Sequence, residues 1–110
     1  MMKQLSGRDL LGLHADRGGV ALLDVREPWE FELAAIRIDG STTLHIPMDS
    51  IARRFGELDA SQPVVCICHH GVRSAQVVAF LERQGFAAVY NLAGGIDAWS
   101  QQVDPGVRRY

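Results

Sequence analysis

Several features that would place a chain in a specialised class are scarce or missing in this sequence of 110 residues. It has only two cysteines, Cys66 and Cys68, which is too few for the disulfide framework of a small secreted domain. No stretch approaches the roughly 18 apolar residues of a membrane span, and no apolar leader forms between Met1 and Ser6. The formal net charge of -2 gives no overall attraction to nucleic acid or to an anionic membrane. We therefore expect a cytoplasmic protein whose partners include neither nucleic acid nor a membrane.

What the sequence does contain is typical of one globular unit. Hydrophobic residues make up 47% and charged residues 22%, and a chain of 110 residues can bury a core without metal or disulfide staples. No repeat, low-complexity tract or linker divides it, so residues 1–110 are predicted to form a single domain. Cys66 and Cys68 would point to the same face of a strand, which disfavours a disulfide between them and suits a reducing compartment.

Apolar runs alternate with segments of helical periodicity along the chain. The predicted strands are 20–25, 44–46, 63–68 and 88–92, and the predicted helices are 6–16, 28–33, 48–58, 75–81 and 96–99. Such alternation is typical of an α/β fold with a mostly parallel central sheet and helices on both faces. Because ligands of such sheets bind beyond the carboxyl ends of the strands, the segments after Val25, Ile46 and Cys68 are the candidate sites.

One of these segments has the composition of an anion-binding loop. It runs from the end of a buried strand into a helix and reads Cys68-His69-His70-Gly71-Val72-Arg73-Ser74. A thiolate on Cys68 would face the free backbone N–H groups and the positive end of the helix dipole, which both stabilise an anion. Gly71 would let the loop curl, and Arg73 would add a donor fork suited to an oxyanion. The pattern predicts Cys68 as a nucleophile, whereas Cys66, inside the strand, is predicted to be a core residue.

A metal site is an alternative for the same stretch. Cys66, Cys68, His69 and His70 are four potential ligands within five residues. Structural zinc sites normally draw pairs of ligands from separated segments, and one continuous stretch cannot easily surround a tetrahedral ion. We therefore expect no metal and no cofactor.

Three segments of the sequence together resemble the rhodanese, or thiosulfate sulfurtransferase, family over about residues 5–99. They are Leu23-Asp24-Val25-Arg26-Glu27-Pro28 with Glu30-Phe31, the loop Cys68 to Ser74, and Leu92-Ala93-Gly94-Gly95-Ile96-Asp97-Ala98-Trp99. The resemblance implies a three-layer α/β fold with a five-stranded, mostly parallel sheet. Asp24 and Arg26 are expected either to brace the catalytic loop by charged hydrogen bonds or to pair with carboxylates such as Glu30 for stability alone.

The resemblance also implies an activity. Cys68 would take sulfane sulfur from a small anionic donor such as thiosulfate and hold it as a persulfide. A thiophilic acceptor, which is cyanide in an assay or a small or protein thiol in the cell, would then remove it. The residues implied to surround the substrate are His69, His70, Gly71, Val72, Arg73 and Ser74.

Two alternatives remain beside this reading. One is a sulfur-relay module with little thiosulfate turnover, in which His69 and His70 shape a surface for protein partners. The other is a relative of the phosphatases and arsenate reductases. Phosphatases that share the fold carry one more loop residue in the family's pattern, so the four residues between Cys68 and Arg73 favour sulfur transfer.

The segment from Ile36 to His45 departs from the family pattern. Arg37 stands where the usual Gly-His-Ile-x-Gly-Ala has histidine, and a short insertion precedes His45-Ile46-Pro47. The sequence leaves the conformation of this segment open.

Overall fold

A computed structural model describes residues 3–110, in which strands and helices alternate along the chain. The elements are β1 (Gln4–Leu5), α1 (Gly7–Arg17), β2 (Ala21–Asp24), α2 (Pro28–Leu33), β3 (Thr42–His45), α3 (Ile51–Arg54), β4 (Val64–Ile67), α4 (Val72–Arg83), β5 (Val89–Leu92) and α5 (Gly95–Gln102). The five strands form one sheet in the order β1-β5-β4-β2-β3, and each described pairing is parallel. The predicted α/β class and five-stranded sheet are confirmed. No helix in the described part of the chain is both long and apolar enough to span a bilayer.

Helices cover both faces of the sheet. On one face, Leu23 of β2 and Cys66 of β4 belong to a buried cluster with side chains of α3 and α4. On the other face, Leu22 and Val65 belong to a second cluster with side chains of α1 and α5. Because both faces are buried, β2 and β4 are apolar nearly throughout instead of alternating with polar residues.

Local signals set the bounds of α1. Ser6 accepts a hydrogen bond from the backbone N–H of Asp9, whose carboxylate accepts one from the N–H of Ser6, so the two residues form a capping box. Gly18, with φ of 67°, ends the helix in the left-handed conformation that glycine adopts without strain. Both ends agree with the sequence prediction to within about a residue.

Two elements differ from the sequence prediction. β1 was not predicted from the residues, because a strand of two residues shows no periodicity and depends on its pairing with Asn91 and Leu92 of β5. The predicted helix 48–58 consists of 3₁₀ turns at Met48–Ser50 and Phe55–Glu57 on either side of the short α3.

The unusual segment 36–45 is tied to the body of the fold. The hydroxyl of Ser41 accepts a hydrogen bond from the backbone N–H of Val20 at 2.9 Å and lies 2.6 Å from Nδ1 of His14. Arg37 places its guanidinium over the ring of Phe31, 5.4 Å from the centroid. Arg37 therefore covers α2 at the surface.

Candidate active site

The three segments predicted to carry the site meet at one edge of the sheet. Since β2, β3 and β4 are parallel neighbours, Val25, Ile46 and Cys68 all follow the carboxyl ends of their strands. The backbone N–H of Val25 donates to the carbonyl of Ile67, so the ladder continues to the residue before Cys68. Cys68 thus leaves a rigid central strand at the point where open α/β sheets bind ligands.

Cys68 is a buried thiol with two described hydrogen-bonding neighbours. Its side chain is 1% exposed, and the backbone N–H of Gly71 donates to Sγ at 3.0 Å. The hydroxyl of Ser74, in the first turn of α4, lies 3.3 Å from the same sulfur. Gly71 has φ of 96°, which turns the chain into α4 and brings its N–H over the sulfur. Of the expected backbone amides, Gly71 is the one that donates to Sγ at hydrogen-bonding distance.

The start of α5 holds the outside of the loop. The backbone N–H groups of Ile96 and Asp97 donate to the carbonyls of Cys68 and His69, at 2.9 and 3.1 Å. A Cβ on Gly95 would lie 2.4 Å from both carbonyl oxygens. Glycine at this position therefore lets α5 approach the loop closely, and the free N–H groups of the helix terminus bind the carbonyls of the loop.

Arg73 is already paired. Its two terminal nitrogens donate to the two carboxylate oxygens of Glu30, at 2.7 and 2.9 Å. Glu30 also accepts hydrogen bonds from the hydroxyl of Tyr110 at 2.7 Å and from the backbone N–H of Glu27 at 3.0 Å. The Arg73 guanidinium is the main cause that lowers the pKa of Glu30 to about 2, and Tyr110 and Glu27 add to it. Arg73 therefore joins the loop 68–74 to α2, and the two terminal nitrogens of its fork are already bonded to Glu30.

Asp24 and Arg26 bond to each other and not to the loop 68–74. Three nitrogen–oxygen contacts of 2.7 to 3.1 Å join the buried guanidinium to the carboxylate, and the remaining Arg26 donors bond to the carbonyls of Glu30 and Ala34 and to the hydroxyl of Tyr110. No described hydrogen bond from Asp24 or Arg26 reaches residues 68–74. Arg26 pairs with a carboxylate, as the second expectation had it, but that carboxylate belongs to Asp24, and Arg26 bonds Glu30 only at the backbone carbonyl of Glu30. The connection to the loop runs through Tyr110 and Glu30 to Arg73.

Aromatic rings line the loop beside Cys68. The ring of His69 lies between those of His70 and Tyr110, with centroid distances of 4.0 and 3.9 Å. Trp29 meets Tyr110 edge-on at 5.9 Å and is 61% exposed, and Val72 is 70% exposed. Burial is the main cause that raises the pKa of Tyr110 to about 12. The loop mouth therefore presents an aromatic and apolar rim.

His69, His70 and Asp97 are the described residues that could hold a metal ion, with potential ligand atoms within 4.8 Å of one another. The two imidazole rings are stacked, and the Asp97 carboxylate accepts hydrogen bonds from Arg109 and Gln101. Because the nitrogen lone pairs of two stacked rings run nearly parallel, coordination by both histidines would require at least one ring to turn. Cys66 and Cys68 lie outside this group, and burial raises the pKa of the Cys66 thiol.

Sequence reasoning missed Asn91 and Tyr110 and gave Glu30 only a secondary place. Asn91 in β5 donates from Nδ2 to the carbonyl of Gly71 at 3.0 Å, and its Oδ1 contacts the hydroxyl of Ser74. A polar residue in the apolar run 88–92 was the available signal for Asn91. Nothing local marks Tyr110, whose contact with Glu30 spans 80 positions of the chain.

The fold is a parallel α/β sheet in which a buried cysteine follows a strand, in a loop closed by an Arg–Glu pair. These features define a class of cysteine-centred α/β domains. Residues 8–102 match the rhodanese-like domain family, and the chain belongs to that family. It is 36% identical to a sulfurtransferase of Allochromatium vinosum over 92% of this chain and 91% of that protein. It is 38% identical to the thiosulfate sulfurtransferase GlpE of Pseudomonas syringae over 74% of this chain and 73% of that protein. A rhodanese-related protein of Thermoplasma volcanium superposes with a TM-score of 0.78 at 29% identity, over 98% of this chain and 99% of the other.

Proposed function

We propose that this chain transfers sulfane sulfur from thiosulfate or a persulfide donor to a thiophilic acceptor through a persulfide on Cys68. The Cys68 thiolate attacks the outer sulfur of thiosulfate, a new S–S bond forms, and sulfite leaves with the electrons of the broken bond. A nucleophilic acceptor such as cyanide then attacks the outer sulfur of the persulfide. Thiocyanate leaves, and the Cys68 thiolate is regenerated.

The observation that carries this proposal is the position of Cys68 Sγ beneath the loop. The Gly71 N–H at 3.0 Å and the start of α4 both favour negative charge on sulfur. Because Cys68 is almost fully buried, a donor has to present one atom at the end of a narrow group, as the outer sulfur of thiosulfate does. The sulfurtransferase names of the relatives from A. vinosum and P. syringae support the same chemistry.

The test is intact-protein mass spectrometry after exposure to thiosulfate. We expect the mass to increase by one sulfur atom and to return to its first value on addition of cyanide. Cys68→Ser should abolish the adduct. Cys66→Ser is the matched control, because Cys66 lies inside β4 on the same face of the sheet and should not react. An adduct that persists in Cys68→Ser would identify another nucleophile.

A second candidate is a relay between proteins, and the exposed Trp29 and Val72 beside the loop favour it. Large apolar side chains at a loop mouth suit a macromolecular acceptor better than a small ion. Steady-state turnover with thiosulfate and cyanide distinguishes the two functions. A relay should accept sulfur from a protein persulfide quickly while turning over thiosulfate slowly.

A further inference from the structure

Asn91 is a buried polar residue that contacts the catalytic loop at two points. It lies in β5, is 2% exposed, and donates from Nδ2 to the carbonyl of Gly71 at 3.0 Å and to Oε1 of Gln4 at 3.1 Å. Its Oδ1 contacts the hydroxyl of Ser74. Burying an amide costs free energy unless its hydrogen bonds are made, so packing alone would favour an apolar residue here.

The neighbours of Asn91 fix the direction of each hydrogen bond. The carbonyl of Gly71 can only accept, so Nδ2 has to face it and Oδ1 has to face Ser74. Because Oδ1 can also only accept, the single hydroxyl proton of Ser74 points toward Asn91. Ser74 Oγ then has only lone pairs to offer to Cys68 Sγ, 3.3 Å away.

This arrangement suits some states of Cys68 better than others. A thiol satisfies it, because the S–H group donates to Ser74 Oγ. A free thiolate does not, because Ser74 would have to turn its proton from Asn91 to Sγ. In a persulfide the negative charge resides on the outer sulfur, and Sγ, bonded to carbon and sulfur, is a weak acceptor. The Ser74 proton can then stay with Asn91.

We propose that Asn91 is a positioning residue of the sulfur-transfer site, which competes with Cys68 Sγ for the one hydroxyl proton of Ser74. This inference rests on the proposed function. Asn91 disfavours the free thiolate relative to the thiol and the persulfide. The most reactive form of Cys68 is thereby kept short-lived between the two halves of the reaction.

The experiment measures the rate at which iodoacetamide alkylates Cys68 as a function of pH, in a Cys66→Ser background. Asn91→Leu removes the competing acceptor, so Ser74 can donate to the thiolate and the alkylation profile should move about one pH unit lower. Asn91→Ala should move it the same way and fits the site without repacking if the leucine variant does not fold. In a Ser74→Ala background, either substitution should leave the profile of that background in place.

The matched control is Gln4→Ala. Gln4 is exposed and accepts from the same Nδ2, and it has no described hydrogen bond to Gly71 or Ser74, so its loss should leave the alkylation profile unchanged. Three results for the Asn91 variants would overturn the proposal. They are an alkylation profile that does not move, one that moves to higher pH, and one that moves equally in the Ser74→Ala background. Failure of the proposed function is separately visible, as absence of the thiosulfate adduct in the wild-type protein.

Discussion

The carboxylate of Glu30 offers the sharpest test of how the loop is held. It is buried and accepts both Arg73 donors, the Tyr110 hydroxyl and the Glu27 N–H. Glu30→Gln keeps the shape of the side chain but removes the charge and turns one acceptor into a donor. Arg73 then faces a neutral amide, and we expect the folded state to lose stability.

The magnitude follows from the pKa. Folding lowers the pKa of Glu30 from 4.5 to about 2. A group whose pKa is lowered by folding stabilises the folded state fully above its unfolded pKa and loses that effect as the pH falls through its folded pKa. From the two pKa values, ionisation of Glu30 contributes about 3 kcal/mol to the free energy of unfolding at pH 5 and above. At pH 3 the contribution is about 1.4 kcal/mol.

The assay is urea unfolding followed by tryptophan fluorescence at pH 7, 5, 4 and 3. We expect Glu30→Gln to be less stable than the wild type by about 3 kcal/mol at pH 7, with the difference falling to about half at pH 3. Glu32→Gln, an exposed substitution in the same helix, should change stability by less than about 0.5 kcal/mol at every pH. A difference between Glu30→Gln and the wild type that is the same at pH 7 and pH 3 would refute the reasoning, because only an ionised carboxylate gives the pH dependence.

Four further predictions can be tested, three on single variants and one on the wild-type protein. Gly95→Ala would place a Cβ 2.4 Å from the Cys68 carbonyl oxygen, at a φ of +63°, and should reduce the rate of sulfur transfer on the order of tenfold or more. Gly12→Ala meets no atom within 4 Å and should instead stabilise α1 by up to about 1 kcal/mol, as thermal unfolding would show. Tyr110→Phe keeps the aromatic ring but loses the hydroxyl that bonds Glu30, which should cost about 1–2 kcal/mol in urea unfolding. Wild-type hydrolysis of a small aryl phosphate should not exceed that of Cys68→Ser, and robust turnover would contradict the loop-length argument.

Local signals explain how much of the fold could be predicted. Ser6 caps the start of α1 and Gly18 ends the helix. Both act through residues close to them in the sequence, so these bounds can be predicted from the sequence alone. The central strand β4 is apolar because both its faces are covered, and this apolar run can also be recognised in the sequence. β1 has no such signal, because its two residues become a strand only through pairing with β5 across most of the chain.

The same distinction applies to the candidate site. Cys68, Gly71 and Ser74 share one strand-to-helix junction, so their proximity follows from the sequence once the junction is recognised. The partner of Arg73 lies 43 residues earlier, and that of Ser74 lies 17 residues later. Side-chain pairs at such separations leave no periodic pattern. They depend on strand order, which the residues did not specify.

Arg73 illustrates the consequence for the chemistry. Taken alone in the sequence, a loop arginine suits an oxyanion of the donor. In the fold, both of its terminal nitrogens are engaged by a carboxylate whose pKa of about 2 keeps it ionised at any neutral pH. The positive charge of Arg73 is thus largely compensated by Glu30, and a sulfonate would meet the three guanidinium N–H donors that Glu30 does not occupy. Stabilisation of an anionic sulfur then falls to the Gly71 N–H and the start of α4, both of which act at the sulfur and carry no countercharge.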